Sequence, residues 1–144
     1  MGHKEKKLKK VQDLYIDMDG VMVSLSDEGY DPYPSLVPDA WEFLMWAAKR
    51  FRCQFLTCWG KNSFDEHFPT FPKFPICSWR NNKTEAIDYT RTFYWLDDDS
   101  MRGEQDELKK KRALGSFIKI DARDDEALTK FMRRYEKDVE AKND

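Results

Sequence analysis

Two clusters of acids follow apolar stretches of this chain. One is the pair in YIDMDGV (residues 15–21), and the other is the run in FYWLDDD (residues 93–99). Carboxylates held close together repel one another unless protons or a cation neutralise them. Oxygen ligands of this kind favour a hard cation, with Mg²⁺ as the first candidate, which can also bind a substrate phosphate. The acids concerned are Asp17, Asp19, Asp97, Asp98 and Asp99.

The first pair also has the spacing of a nucleophile and an acid–base partner. In a strand the side chains of Asp17 and Asp19 share a face, and a bend just after Asp17, which Gly20 makes easy, would bring both to the same phosphate. A carboxylate that attacks phosphorus forms an aspartyl-phosphate. A second acid nearby can protonate the leaving oxygen and later activate water. The pattern therefore predicts phosphoryl chemistry.

Apolar strands and amphipathic helices alternate along the chain. We predict strands at 11–16, 52–57, 92–96 and 116–120. We predict helices at 38–50, 82–89, 104–114 and 124–141. This alternation indicates an α/β fold with a Rossmann-like parallel sheet covered by helices on both faces. Ligands in such sheets bind beyond the carboxyl ends of the strands, so we expect the two acidic clusters to meet there.

Three local patterns add detail to this fold. Residues 21–30 alternate in polarity and reach a turn at 27–29, which predicts a small β-hairpin flap after the first strand. Gly115 suits the left-handed position that ends the helix before it. The predicted helix 38–50 has one apolar face at helical spacing, made by Trp41, Leu44, Met45 and Ala48.

The length and composition predict one domain, over residues 11–144, behind a flexible basic arm at residues 1–10. The 144 residues carry 25 Lys and Arg against 27 Asp and Glu, which excludes strong attraction of the whole fold to nucleic acid. No apolar run approaches the ~20 residues that a membrane span needs, and the arm is not a secretory signal. Cys53, Cys58 and Cys77 lack the spacing of metal ligands, so we expect reduced thiols in a cytoplasmic protein.

Four motifs, in order, make this chain resemble the haloacid dehalogenase (HAD) superfamily. YIDMDGV resembles the first motif, and FLT, which ends at Thr57, resembles the second. Lys83, in SWRNNKTEAI, resembles the third motif, a lysine at the start of a helix. FYWLDDD resembles the fourth, an apolar strand that ends in paired acids. The resemblance covers about residues 12–121 and implies a HAD-like fold.

The resemblance implies a role for each motif residue. Asp17 would be the nucleophile and Asp19 the general acid and base. Thr57 would hydrogen-bond a phosphoryl oxygen, and Lys83 would neutralise charge on the nucleophile and the phosphoryl group. The fourth motif has three consecutive acids, Asp97, Asp98 and Asp99, so it stays open which of them binds the metal directly. The implied Mg²⁺ ligands are Asp17, Asp19, Asp97 and Asp98. Asp19 would contribute its backbone carbonyl.

The resemblance also implies an activity. An acid two residues after the nucleophile marks the phosphatases of this superfamily, so Asp19 implies hydrolysis of phosphate esters or anhydrides. The stretches from Asp19 to Thr57 and from Thr57 to Lys83 are too short for a cap domain, and an open site suits a macromolecular or nucleotide phosphate ester. We expect a Mg²⁺-dependent phosphatase with no membrane partner, and the oligomeric state stays open, with a monomer compatible with the sequence. A phosphorylated small molecule, protein or nucleic-acid end stays open as the substrate.

Two other functions compete with this one. A binding or regulatory module would keep the fold and the metal site without significant turnover. A mutase or phosphotransferase is disfavoured because such enzymes must exclude water, usually with a cap.

Several other residues receive an ordinary interpretation. Four aromatic residues on loops near the predicted site could stack on a base or ring, but packing is favoured; they are Trp59, Trp79, Tyr30 and Tyr33. Cys58 has no histidine placed to activate it. The basic run at 109–112 falls at the end of a helix, away from the predicted site, where cations stabilise the helix terminus.

Overall fold

The computed structural model describes residues 11–24, 35–121 and 123–143. The predicted flexible arm and the predicted hairpin turn at 27–29 lie outside these residues. The strands are β1 (Asp13–Ile16), β2 (Arg52–Phe55), β3 (Phe93–Asp97) and β4 (Phe117–Lys119). The α-helices are α1 (Ala40–Ala48), α2 (Lys61–His67), α3 (Arg102–Lys110) and α4 (Ala127–Asn143). Two 3₁₀ turns span Lys83–Ala86 and Leu114–Ser116, and the first of them stands in place of the longer helix predicted at 82–89.

The four strands form one all-parallel sheet in the order β2-β1-β3-β4. All four residues of β1 are buried, as expected for a central strand covered on both faces. Ile16, the last residue of β1, is level with Phe55 on β2 and with Leu96 on β3. The carboxyl ends of three strands therefore align. This α/β architecture confirms the predicted parallel sheet and is compatible with a Rossmann-like fold.

The sheet separates two apolar cores. Leu14 and Ile16 point into the larger core, which contains α1, α4 and the phenylalanines that follow β2. Tyr15 and Trp95 point the other way, into a smaller core with Leu108 of α3. The alternation of side chains along a strand places neighbouring residues in different cores. Helices therefore cover both faces of the sheet.

The helix α1 buries a different face from the one the sequence predicts. Its buried residues are Ala40, Phe43, Leu44 and Ala47. Leu44 is buried as predicted, but Trp41 and Met45 are 40% and 44% exposed and Ala48 is exposed as well, so the rest of the predicted stripe is wrong. Two apolar stripes run along this helix, offset by one residue, and both have helical spacing. Only packing against the sheet and α4 selects between them.

The described residues after β1 contain the base of the predicted hairpin. The amide N–H of Ser24 donates to the carbonyl of Ser35 at 2.8 Å, and that of Val37 donates to Met22 at 2.9 Å. Val23 and Leu36 form an antiparallel bridge between these two bonds. The two segments therefore pair antiparallel beside the end of β1.

The helix α3 ends before the predicted position. It stops at Lys110, and Arg112 takes the left-handed conformation, with a φ of 56°. Gly115 lies instead in the second 3₁₀ turn, so its predicted capping role is wrong. Lys111 and Arg112 line a crevice with Gln12 and Thr92, which precede β1 and β3. The basic run therefore ends at the amino edge of the sheet, as predicted.

Every residue between Thr57 and Lys83 is described, and this stretch contains α2 and loop with no second domain. Among the described residues, no helix is long and apolar enough to cross a membrane. All three cysteines are free thiols.

Candidate active site

Three carboxylates converge at the carboxyl edge of the sheet. Asp17 follows β1, Asp97 ends β3, and Asp98 comes next; each offers one oxygen, and these oxygens lie within 4.8 Å of one another. The amide N–H of Asp17 donates to the carbonyl of Leu96 at 3.0 Å, so the pairing of β1 with β3 continues up to the site. The parallel register thus joins two acidic clusters that are far apart in the sequence.

The ammonium of Lys83 lies between two of these carboxylates. Its Nζ is 3.1 Å from Oδ1 of Asp17 and 2.7 Å from Oδ2 of Asp97. The 3₁₀ turn that begins at Lys83 is held by Glu85, whose Oε2 accepts the N–H groups of Asn81 and Asn82 at 3.0 and 2.7 Å. The local fold therefore presents the lysine side chain to the acids.

Glu104 fixes the backbone of Lys83, and sequence reasoning missed it. This glutamate is only 5% exposed. Its Oε2 accepts the N–H of Lys83 at 2.7 Å, and its Oε1 accepts the N–H of Met101 at 2.8 Å. A glutamate at the third position of α3 is a sequence signal for capping, but Met101 is not a residue typical of the N-cap. The spacing gave no sign of the contact with Lys83.

Gly20 lets the loop after β1 approach the second acidic cluster. Its φ is +78°, which L residues with a side chain rarely adopt. A Cβ built at this position would lie 2.7 Å from Cβ and Oδ2 of Asp98. Close approach, as well as the bend predicted from the sequence, therefore requires glycine here.

Burial and mutual repulsion disturb the ionisation of the site. Burial raises the pKa of Asp17, although Lys83 acts in the opposite direction. Burial and the charge of Asp17 raise the pKa of Asp97 to about 6. Burial and the hydrogen bond to Asp97 raise the pKa of Asp98 to about 6. Burial lowers the pKa of Lys83, but its contacts with Asp17 and Asp97 outweigh this, so the net shift is upward.

The donor set fits a hard divalent cation. Three carboxylates face the single positive charge of Lys83, so full ionisation would leave excess negative charge in a buried place. Carboxylate oxygens are the ligands that Mg²⁺ prefers, and one or two of them suffice beside water and phosphate. Asp17, Asp97 and Asp98 are therefore the residues that could hold Mg²⁺.

Asp99 does not belong to this group. Its side chain is exposed, and its Oδ1 accepts the N–H of Ser100 at 2.8 Å. Its own N–H donates to Oδ1 of Asp97 at 3.3 Å. Asp97 and Asp98 thus belong to the cluster, whereas Asp99 holds the turn that precedes α3.

Asp19 and Thr57 are linked to each other through Trp59. The indole Nε1–H of Trp59 donates to Oδ1 of Asp19 at 3.0 Å. The backbone N–H of Trp59 donates to Oγ1 of Thr57 at 3.2 Å. The side chain of Asp19 is exposed and outside the carboxylate cluster, whereas Thr57 is buried. The roles predicted for both residues in catalysis, and for Asp19 at the metal, stay predictions.

Comparison with known proteins adds no relative to this description. The chain matches no protein-family model, no curated protein and no solved structure.

Proposed function

We propose that this protein is a Mg²⁺-dependent phosphohydrolase that works through an aspartyl-phosphate on Asp17. The convergence of Asp17, Asp97 and Asp98 at the carboxyl edge of a parallel sheet carries this proposal. The lysine between them supports it further, because a phosphoryl group brings negative charge that a fixed ammonium can stabilise. The order of motifs that resembles the HAD superfamily agrees with this chemistry.

The first half-reaction transfers the phosphoryl group to the protein. An oxygen of Asp17 attacks phosphorus, and the bond from phosphorus to the ester oxygen breaks. Asp19 donates a proton to that oxygen, so the product leaves as an alcohol. Lys83 holds Asp17 in place and stabilises charge on the phosphoryl oxygens. When bound, Mg²⁺ would supply further charge neutralisation and orient the phosphoryl group.

The second half-reaction returns the protein to its starting state. Asp19, now ionised, takes a proton from a water molecule, and the resulting hydroxide attacks phosphorus. The bond between phosphorus and the Asp17 oxygen breaks, which releases inorganic phosphate and restores the Asp17 carboxylate. Thr57, which is buried just after β2, would hydrogen-bond a phosphoryl oxygen in both half-reactions.

A phosphatase assay with 4-nitrophenyl phosphate tests the proposal. Wild type is expected to release phosphate with Mg²⁺ and to stop when a chelator removes the metal. Asp17→Asn keeps the shape of the side chain but loses the nucleophile, so the rate should fall by about three orders of magnitude or more. Asp99→Asn is the matched control, because that acid lies outside the cluster, and its rate should stay near the wild-type value.

Two results would count against the proposal. Turnover that survives Asp17→Asn would exclude this residue as the nucleophile. Absence of turnover on a panel that includes phosphopeptides and phosphorylated oligonucleotides would instead favour a binding module that keeps the same site.

A further inference from the structure

A groove of about 770 Å³ opens at Thr57, just after the carboxyl end of β2. We call it the aromatic groove; it is lined by residues 57–61, 64–65 and 71–79. Its volume lies within the range of sites for small organic ligands. All of its lining residues lie between β2 and the 3₁₀ turn of Lys83. This is the stretch that contains α2 and loop but no second domain.

Two side chains that line the aromatic groove contact residues of the candidate active site. Trp59 lines the groove and donates its indole N–H to Asp19 at 3.0 Å. Trp79 lines the groove as well, and its ring lies 5.7 Å from Nζ of Lys83. Each tryptophan therefore touches a residue of the proposed phosphate chemistry. A ligand with its phosphate at the carboxylates would extend its remaining part along this wall.

Packing accounts for two phenylalanines of the groove but leaves its other aromatic side chains, Phe74 and the two tryptophans, partly open. Phe64 and Phe71 are each 4% exposed and belong to the main core. Trp59 and Trp79 are only half-buried. His67 and Phe68 meet the ring of Trp59 edge-on, with centroids 5.1 and 5.2 Å away, and so fix its orientation. A fixed indole with accessible surface is suited to stacking with a flat ring.

From these contacts we propose that the aromatic groove binds the leaving group of the substrate, and that this group carries a planar aromatic ring. The inference rests on the proposed function, since it takes the carboxylate cluster as the phosphate end of the ligand. A nucleobase and the ring of a phenol share the chemistry that an indole recognises, because both present a π face. An aliphatic alcohol presents none, so the groove discriminates against it.

Binding to a variant that cannot turn over separates this inference from the question of catalysis. Asp17→Asn protein with Mg²⁺ is titrated calorimetrically with phenyl phosphate, adenosine 5′-monophosphate and glycerol 3-phosphate. We expect at least one ring phosphate to bind roughly 5- to 150-fold more tightly than glycerol 3-phosphate, the range that one stacked base contributes. The two ring compounds distinguish a phenol ring from a nucleobase as the preferred group.

Substitutions in the same background assign the preference to the groove. Trp79→Leu removes a ring from the wall, so the preference for ring phosphates should largely disappear. Trp41→Leu is the matched control, because this exposed tryptophan lies on α1 and does not line the groove. Ser78→Leu fills part of the groove from an exposed position, and it answers the question if Trp79→Leu fails to fold. It should weaken the ring phosphates selectively.

Three results would overturn the inference. They are equal affinities for ring and aliphatic phosphates, no binding of either ring phosphate, and a preference that survives both groove variants. The phosphatase proposal is tested separately. Hydrolysis by wild type without a preference for ring phosphates would support that proposal and exclude the role of the groove. Tight, Trp79-dependent binding of a ring phosphate without hydrolysis by wild type would support the role of the groove and contradict the phosphatase proposal.

Discussion

The two ends of β1 both contain a buried aspartate, but their charges are balanced in opposite ways. Asp13, at the amino end, is fully buried and lies 2.9 Å from Nε of Arg52 and 2.9 Å from Nε of Arg91. Arg52 binds it with two parallel hydrogen bonds, of 2.9 and 3.0 Å. Asp17, at the carboxyl end, shares one lysine with Asp97. Among the described residues, one carboxylate thus has two cations, whereas three carboxylates share one.

This difference distinguishes a structural ion cluster from a site that still needs a cation. Two guanidinium groups satisfy Asp13 and leave no negative charge for a ligand. At the other end, burial and repulsion raise the pKa of Asp97 and Asp98 to about 6, so protons or a metal must complete the site. Burial of an acid alone does not indicate function; the balance of charge around it does.

Removal of one cation from each end should have very different consequences. Lys83→Met takes away the positive charge next to the nucleophile, so the turnover number should fall by about 100-fold or more. Arg52→Met leaves Arg91 on Asp13, so turnover per folded molecule should change less than about twofold, while thermal stability decreases. The pair is compared by steady-state kinetics and thermal denaturation. Equal losses of turnover would contradict the distinction between the two ends.

Mg²⁺ should stabilise the fold through the acids at the carboxyl end of β1 and not through Asp13 at its amino end. At 100 times its dissociation constant a ligand adds about 2.7 kcal/mol to the free energy of unfolding, or roughly 8 °C for a domain of this size. Asp98→Asn should reduce this rise because it removes one of three carboxylate ligands, whereas Asp99→Asn should retain it in full. The measurement is thermal denaturation with and without Mg²⁺. A rise that Asp98→Asn leaves untouched would exclude this acid from the metal site.

The pH dependence of stability should change sign when Mg²⁺ is added. The pKa of Asp97 and Asp98 is about 6 in the fold and 3.8 ordinarily, so without metal their protonation favours the folded state. This contribution is complete below about pH 4 and is lost as the pH rises through about 6. Mg²⁺ needs the ionised carboxylates, so its stabilising effect should be weak at pH 5 and full at pH 8.

Thermal denaturation at both pH values, with and without Mg²⁺, checks this expectation. Asp98→Asn provides the comparison, because the many surface carboxylates titrate in both proteins and cancel. In the absence of metal, wild type should lose stability relative to Asp98→Asn between pH 5 and pH 8. A Mg²⁺ effect of the same size at both values would refute the link to these two acids.

The smallest expected effect concerns the hydrogen bond that holds Asp19. Trp59→Phe keeps an aromatic ring but removes the N–H, so turnover should fall by about fivefold, the weight of one hydrogen bond. Trp46→Phe removes a similar bond, from Nε1 of Trp46 to Glu136 at 2.8 Å, between α1 and α4. Steady-state kinetics should show a loss of turnover in the first variant alone. A similar loss in both would indicate general destabilisation.

Much of the fold follows from local patterns in the sequence. The strands at Asp13–Ile16 and Phe93–Asp97 lie where apolar runs end in acids, and this spacing sufficed to predict a parallel sheet with the acids at one edge. The face of α1 was not predictable, because its two apolar stripes have equal spacing. The end of α3 was also missed, since Arg112 takes the left-handed conformation that usually belongs to glycine.

The sequence by itself determined the order of the elements and the residue types at the strand ends, because both depend on short-range periodicity. Only the tertiary structure decided that Asp97 and Asp98 face Asp17 while Asp99 turns away. The contact of Glu104 with Lys83 and the contact of Trp59 with Asp19 were likewise decided there. These pairs are 21 and 40 residues apart. Spacing along the chain cannot specify such partners, since they meet only when the sheet and its helices pack.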